Sequence, residues 1–88
     1  MIDPTIAVEA INLIQGDRAT DYGPVDGPNS NLSRIAVLWS GYLGVTVTAS
    51  DVAWLMVLTK ASRGRASYKR DNFVDAIAYT LMAEQCAE

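Results

Sequence analysis

Lys60 and Arg63 stand three residues apart; Asp71 and Asp75 stand four apart, with Tyr79 four further on. At helical spacing each set shares one face. A short connection between the two segments makes their helices antiparallel neighbours, which sets Arg63 opposite Asp71 and Lys60 opposite Asp75. Ammonium and guanidinium groups give charge-assisted hydrogen bonds to phosphate. Aspartates beside them either orient the cations or accept ribose hydroxyls. Arg65, Lys69 and Arg70 add positive charge in the connection GRASYKR. The plainer alternative is a pair of interhelical salt bridges, with cations complementing a helix C-terminus and anions an N-terminus.

A second polar group, Asp17, Arg18, Asp21 and Tyr22, lies in the stretch GDRATDYGPVDGP. Arg18 is a candidate phosphate contact and Tyr22 a stacking platform for a base. The same residues also suit an ordinary turn in which Arg18 pairs with a neighbouring aspartate. Trp39, Tyr42 and Trp54 read as core or interface residues. Catalytic chemistry is poorly served. The sequence has no histidine, so there is no imidazole base and nothing to activate a serine, threonine or Cys86. A Mg²⁺ site needs several oxygen ligands. The first helix offers only Glu9, the second no acid and the third only Asp51 at its start, so Asp71 and Asp75 are the one inward-capable pair. No catalytic residue, metal ligand or cofactor is assigned.

The elements that must position these groups are four helices. Asp3-Pro4 opens the first as cap and first helical residue. Ile6, Ala10, Leu13 and Ile14 form its stripe, and Gly16 is expected to end it in a left-handed conformation. The second starts near Asn29 or Ser30, carries Leu32, Ile35, Ala36, Leu38, Trp39 and Leu43 at helical spacing, and ends at Gly44. Residues 45–47 form a short extended link. Thr48 caps the third helix with Asp51 three residues on, a capping box that uses Asp in place of Glu. That helix is expected to close at Gly64. The fourth runs from near Asp71 to about Glu84, with Val74, Ile77, Ala78 and Leu81 inward. No strand, repeat or low-complexity tract is evident.

These features imply a single all-α domain over residues 1–88, a small four-helix bundle, oligomeric. Half of the 88 residues are hydrophobic, a large share for a domain with so little interior. Residues 52–58, VAWLMVL, are all apolar; such a run passes around the whole helix, so more than one face must be covered. Seven Lys and Arg against ten Asp and Glu give a net charge of −3, the wrong sign for a nucleic-acid polymer binder. No run approaches the roughly 18 apolar residues of a membrane span. The N-terminus lacks signal-peptide features and one cysteine cannot form an internal disulfide, so a cytoplasmic setting is expected.

Four motifs carry a resemblance. They are GDR-x-x-DYG from Gly16, R-x-A-x-L-W-S-x-Y-L-G from Arg34, T-x-x-D-V-A-x-x-M-x-x-x-K-x-x-R from Thr48 and D-x-x-x-D-x-x-x-Y from Asp71. Together, over nearly the whole chain, they resemble an uncharacterised family of small phage and prophage proteins. That family is distantly similar to MazG-like all-α nucleotide pyrophosphohydrolases and to phage nucleotide-modification-associated domains. The MazG signature pairs an E-x-x-E helix with an E-x-x-D helix. This sequence has neither, so the resemblance does not carry over metal ligands. Small helical phage proteins also include oligomeric sponges for the signalling nucleotides of bacterial defence. The expectation is a homo-oligomer that binds a small nucleotide-like, phosphate-bearing ligand without turning it over. Its contacts would be Arg18, Tyr22, Lys60, Arg63, Asp71, Asp75 and Tyr79. The alternatives are a Mg²⁺-dependent MazG-like hydrolase using Asp51, Asp71 and Asp75, and a purely structural or protein-binding module.

Overall fold

The structure is a computed structural model that describes residues 1–16 and 23–87. It contains α1 (Thr5–Gln15), α2 (Asn31–Leu43), α3 (Ala49–Ala66) and α4 (Arg70–Gln85), with no strand among the described residues. The chain is therefore all-α, as its patterning requires.

Most boundaries follow from capping chemistry. Asp3 accepts the Thr5 N–H at 3.0 Å and the Thr5 hydroxyl at 2.6 Å, which fixes the entry to α1. Ser30 caps α2 by accepting the Ser33 N–H at 3.2 Å, and it is fully buried. Its own hydroxyl donates to Ser33 Oγ at 3.0 Å, which in turn donates to the Gly27 carbonyl at 2.8 Å. A buried hydroxyl is thereby satisfied. Gly44 ends α2 at φ 73°, the left-handed conformation that favours glycine. Ser40 then ties the link back onto α2: its Oγ accepts the Val47 N–H at 2.8 Å and donates to the Val47 carbonyl at 3.1 Å. Both halves of the capping box are formed, Asp51 N–H to Thr48 Oγ1 at 3.1 Å and Thr48 N–H to Asp51 Oδ2 at 2.9 Å.

Two expected terminators behave differently. Gly16 follows α1 at φ −105° rather than in the left-handed region. What demands glycine there is space, because a Cβ would lie 2.8 Å from the Asn12 carbonyl oxygen. Gly64 does not stop α3, which continues to Ala66; the connection to α4 shortens to residues 67–69. Nothing at Gly64 forces a turn. A Cβ there would meet Asn72 Cβ at 3.7 Å, an ordinary contact.

The helices form an open row rather than a closed bundle. The main packings are α2 on α3, α3 on α4, and α4 on α1, with α3–α4 the most extensive. Ala10, Leu32, Ala36, Val52, Ala53, Val74, Ala78, Met82 and Ala83 form the core. Small residues at Ala10, Ala36, Ala53, Ala78 and Ala83 let the helix axes come close. Trp39 and Ile77 pack against this core half-buried, whereas Leu38, Leu43 and Leu81, expected inward, are exposed. An end helix such as α2 touches one neighbour, so one stripe is all it can bury. The apolar run of α3 splits accordingly: Val52 and Ala53 are buried, while Trp54, Leu55 and Leu58 face outward.

Candidate functional site

The α3–α4 hairpin brings the hinge residues together. Lys60 Nζ meets Asp75 Oδ2 at 3.0 Å, with side chains 14% and 31% exposed. This is the cross-helix pair that the spacing implied. The companion pair does not form. Arg63 and Asp71 are both exposed, and no ion pair joins them among the described residues. The extension of α3 to Ala66 and the early start of α4 at Arg70 remove the register that would set one opposite the other.

Arg70 is recruited elsewhere. Its Nη1 donates to Asp3 Oδ2 at 3.2 Å, its Nη2 to Thr5 Oγ1 at 2.8 Å, and its Nε to Glu9 Oε2 at 2.8 Å. Nη2 also bonds Glu9 Oε2 directly. This guanidinium clamps the start of α1 to the start of α4. Hydrogen bonding from the Thr5 hydroxyl and N–H, then from Arg70, holds the Asp3 carboxyl below its usual range. The bond to Glu9, followed by that to Asp3, raises Arg70 further. Arg70, expected to supply positive charge near a phosphate site, instead ties α1 to α4.

The aspartates of α4 turn toward α1. Asp71, Val74 and Asp75 line a cavity of about 450 Å³ together with Glu9, Asn12, Leu13 and Gly16. Its wall is acidic, with Glu9 held by Arg70 and Asp75 by Lys60. Among the described residues, no group of three or more Asp, Glu, His or Cys side chains is arranged to hold a metal ion. Asp51 joins no such group. It is spent in the capping box, nine residues before Lys60, or about 13 Å along the helix axis.

The other side of α4 carries a mostly apolar groove with an aromatic ring and two cationic side chains in its lining. Lys60, Gly64 and Arg65 face Asn72, Phe73 and Ala76 across a cavity of about 370 Å³. Phe73 packs against Tyr68, ring centroids 5.7 Å apart and planes tilted by 36°. Arg63, Arg65, Tyr68 and Lys69 are all exposed around this hinge. None of the three cations makes an ion pair with a described residue.

The candidate site is therefore divided. Lys60 and Arg63 stay at the basic hinge, Asp71 and Asp75 line the acidic cavity, and Lys60–Asp75 spans the two. Tyr79 is half-buried against the core and lines neither cavity. Arg18 and Tyr22 lie outside the described residues. Asn72, Phe73 and Glu9 were missed as site residues from sequence. The available signal was Phe73, a large apolar residue in the first turn of α4 that falls off its inward stripe.

The chain belongs to the DUF6378 family, described as a domain of unknown function, which it matches over residues 5–87. Among its relatives are two phage proteins, each called Gene 55 protein. One, from Mycobacterium phage D29, is 40% identical over 85 residues, covering 96% of this chain and 54% of that protein. The other, from Mycobacterium phage L5, is 39% identical over 83 residues, covering 92% and 51%. The chain thus spans about half the length of these curated relatives. No solved structure matches it. The family is an uncharacterised one with phage members, as the four motifs suggested. Among the described residues no helix is long and apolar enough to cross a membrane.

Proposed function

We propose that this domain captures a small nucleotide-like, phosphate-bearing ligand at the α3–α4 hinge and holds it without turning it over. In a phage setting the effect would be to sequester a signalling nucleotide of bacterial defence in the host cytoplasm. The observation that carries the reading is an apolar, aromatic groove edged by cationic side chains. Lys60 and Arg65 line it beside Phe73, with Arg63 and Lys69 exposed nearby and Tyr68 against the ring. Cations satisfy phosphate oxygens, and an exposed aromatic face suits stacking of a base. The contacts expected from sequence are thereby redrawn. Lys60 and Arg63 remain, Arg65 and Phe73 join them, and the two aspartates act through Lys60 or not at all.

Calorimetry with a panel of cyclic and linear nucleotides and ADP-ribose derivatives, followed by chromatography of the recovered ligand, tests this. Binding with the ligand returned intact is the expected result. Recovery of cleaved product would reject sequestration.

One observation favours a second reading, a MazG-like Mg²⁺-dependent hydrolase: the cavity that Glu9, Asp71 and Asp75 line between α1 and α4. There a divalent cation would have to displace Lys60 from Asp75 and Arg70 from Glu9. Mg²⁺-dependent release of pyrophosphate, abolished by Asp71→Asn, would establish it.

A further inference from the structure

The proposed ligand site leaves a group of exposed apolar side chains on α2 and α3 unused. On α2, Val37, Leu38 and Tyr42 are 71%, 70% and 88% exposed, and on α3 Trp54 and Leu58 are 51% and 64% exposed. We propose that these outward faces of α2 and α3 are the surface through which two copies of this chain associate.

Area supports that occupant. The chain exposes 6064 Å² at a mass of 9.5 kDa, whereas a folded monomer of that mass exposes about 5,000 Å². The excess of about 1,000 Å², spread over the whole chain, is large enough to include the ~800 Å² that each partner contributes to a standard interface. The radius of gyration, 13.5 Å, likewise exceeds the roughly 12 Å of a compact chain of this length.

Charge points the same way. Between Arg34 and Lys60 the sequence carries one ionisable acid or base of ordinary charge, Asp51, and its carboxylate is engaged in the capping box. Arg34, at the edge of the α2 face, folds back to donate from Nη1 to the Asn29 carbonyl at 2.7 Å. In a two-fold interface each patch meets itself. A nearly uncharged patch does so without opposing like charges, and it offers nothing to a charged partner.

Gly41 supplies an independent sign. It sits within α2 beside Leu38 and Tyr42, where glycine weakens a helix relative to alanine. Its φ is not positive, and a Cβ would meet nothing within 4 Å in the protomer. No feature of the single chain calls for glycine. A second helix laid across this point does, because a missing side chain lets backbones approach.

Sedimentation equilibrium of the chain up to roughly 100 μM decides the matter. The expected result is a reversible assembly whose dissociation constant rises at least a hundredfold in Leu38→Glu or Leu58→Glu but not in Val8→Glu on α1. Tyr42→Glu repeats the test should Leu38→Glu lose its helicity. Gly41→Ala raises helicity yet weakens assembly about tenfold. A monomer at every concentration would overturn the proposal, and so would an assembly indifferent to both glutamates.

Discussion

Replacing Asp75 by asparagine separates anion capture from carboxylate chemistry, because the two call for opposite changes in affinity. Asp75→Asn keeps the shape and removes the charge 3.0 Å from Lys60 Nζ. The pair is neither fully buried nor free in water. Its loss falls between the ~0–1 kcal/mol of exposed pairs and the ~3–5 kcal/mol of buried ones. A cost of about 1–3 kcal/mol follows, with Tm falling roughly 4–8 °C per kcal/mol for a domain of this size. The effect on a phosphate in the hinge groove has the other sign. A negative charge about 7 Å away repels it by roughly 0.6–2.4 kcal/mol for effective dielectrics between ~80 and ~20. Removing that charge tightens binding by about three- to sixtyfold, more at low salt than near physiological ionic strength. Calorimetry with an anionic nucleotide at two salt concentrations, beside thermal melts, reads both quantities. A less stable variant that binds more tightly is the expected outcome. Weaker binding of the nucleotide would mean that the Asp75 carboxylate works for the ligand, and the hinge reasoning would be refuted.

Arg65→Ala removes an exposed cation with no ion partner among the described residues; nucleotide affinity should drop about tenfold with Tm within about 2 °C of the parent. Thr48→Ala deletes the side-chain acceptor of the Asp51 N–H and should cost about 1 kcal/mol in urea unfolding without changing ligand affinity. Asp3 titrates below its usual value of 3.8 in the folded chain, so the stability it adds is fully present above that value. This contribution is lost as pH falls through the lower folded value. Hydrogen-exchange protection at the start of α1, relative to the free-peptide rate at the same pH, should therefore fall below about pH 4, and Asp3→Asn should remove this pH dependence.

The sequence carried three of the four helix starts because they are written in local chemistry: Asp3, Ser30 and Thr48 are side chains that satisfy free N–H groups whatever the rest of the chain does, whereas α4 starts after Lys69 without a side-chain cap. Lys60 opposite Asp75 was legible for a related reason, since a hairpin with a short connection fixes which turns meet. Arg63 opposite Asp71 failed because both lie in the last and first turns of their helices. Two extra residues of α3 and one earlier residue in α4 change those registers most. The position of α1 was not legible at all. Its connection to α2 is long, so nothing local says which helix it joins; the answer depends on Arg70 reaching Asp3, Thr5 and Glu9 across more than sixty residues. Leu38 and Leu43 looked inward because spacing reports that a residue is apolar, not what covers it. In an open row, α2 has a neighbour on one side only.

Helix α4 consequently acts as a partition. Asp71, Val74 and Asp75 line the α1-side cavity, while Asn72, Phe73 and Ala76 line the α3-side cavity, with Phe73 and Ala76 also reaching the start of α1 and Asp75 reaching Lys60 of α3; a 3.6-residue period sends the centres of these two triplets to different sides of one helix. One wall therefore presents carboxylates and the other an aromatic ring facing lysine and arginine. A phosphate-bearing ligand is repelled by the first and attracted by the second unless a cation intervenes. Lys60 sets the balance, because its side chain lines the groove while its ammonium neutralises an acid of the other cavity. Withdrawing that lysine should weaken nucleotide binding at the hinge and, by freeing Asp75, make the α1–α4 cavity more attractive to divalent cations. Titrating Lys60→Met with Mg²⁺ and with nucleotide separately measures both. Loss of nucleotide affinity with a gain for Mg²⁺ is expected from this geometry. Unchanged affinity for both would show that Lys60 is a structural strut and no more.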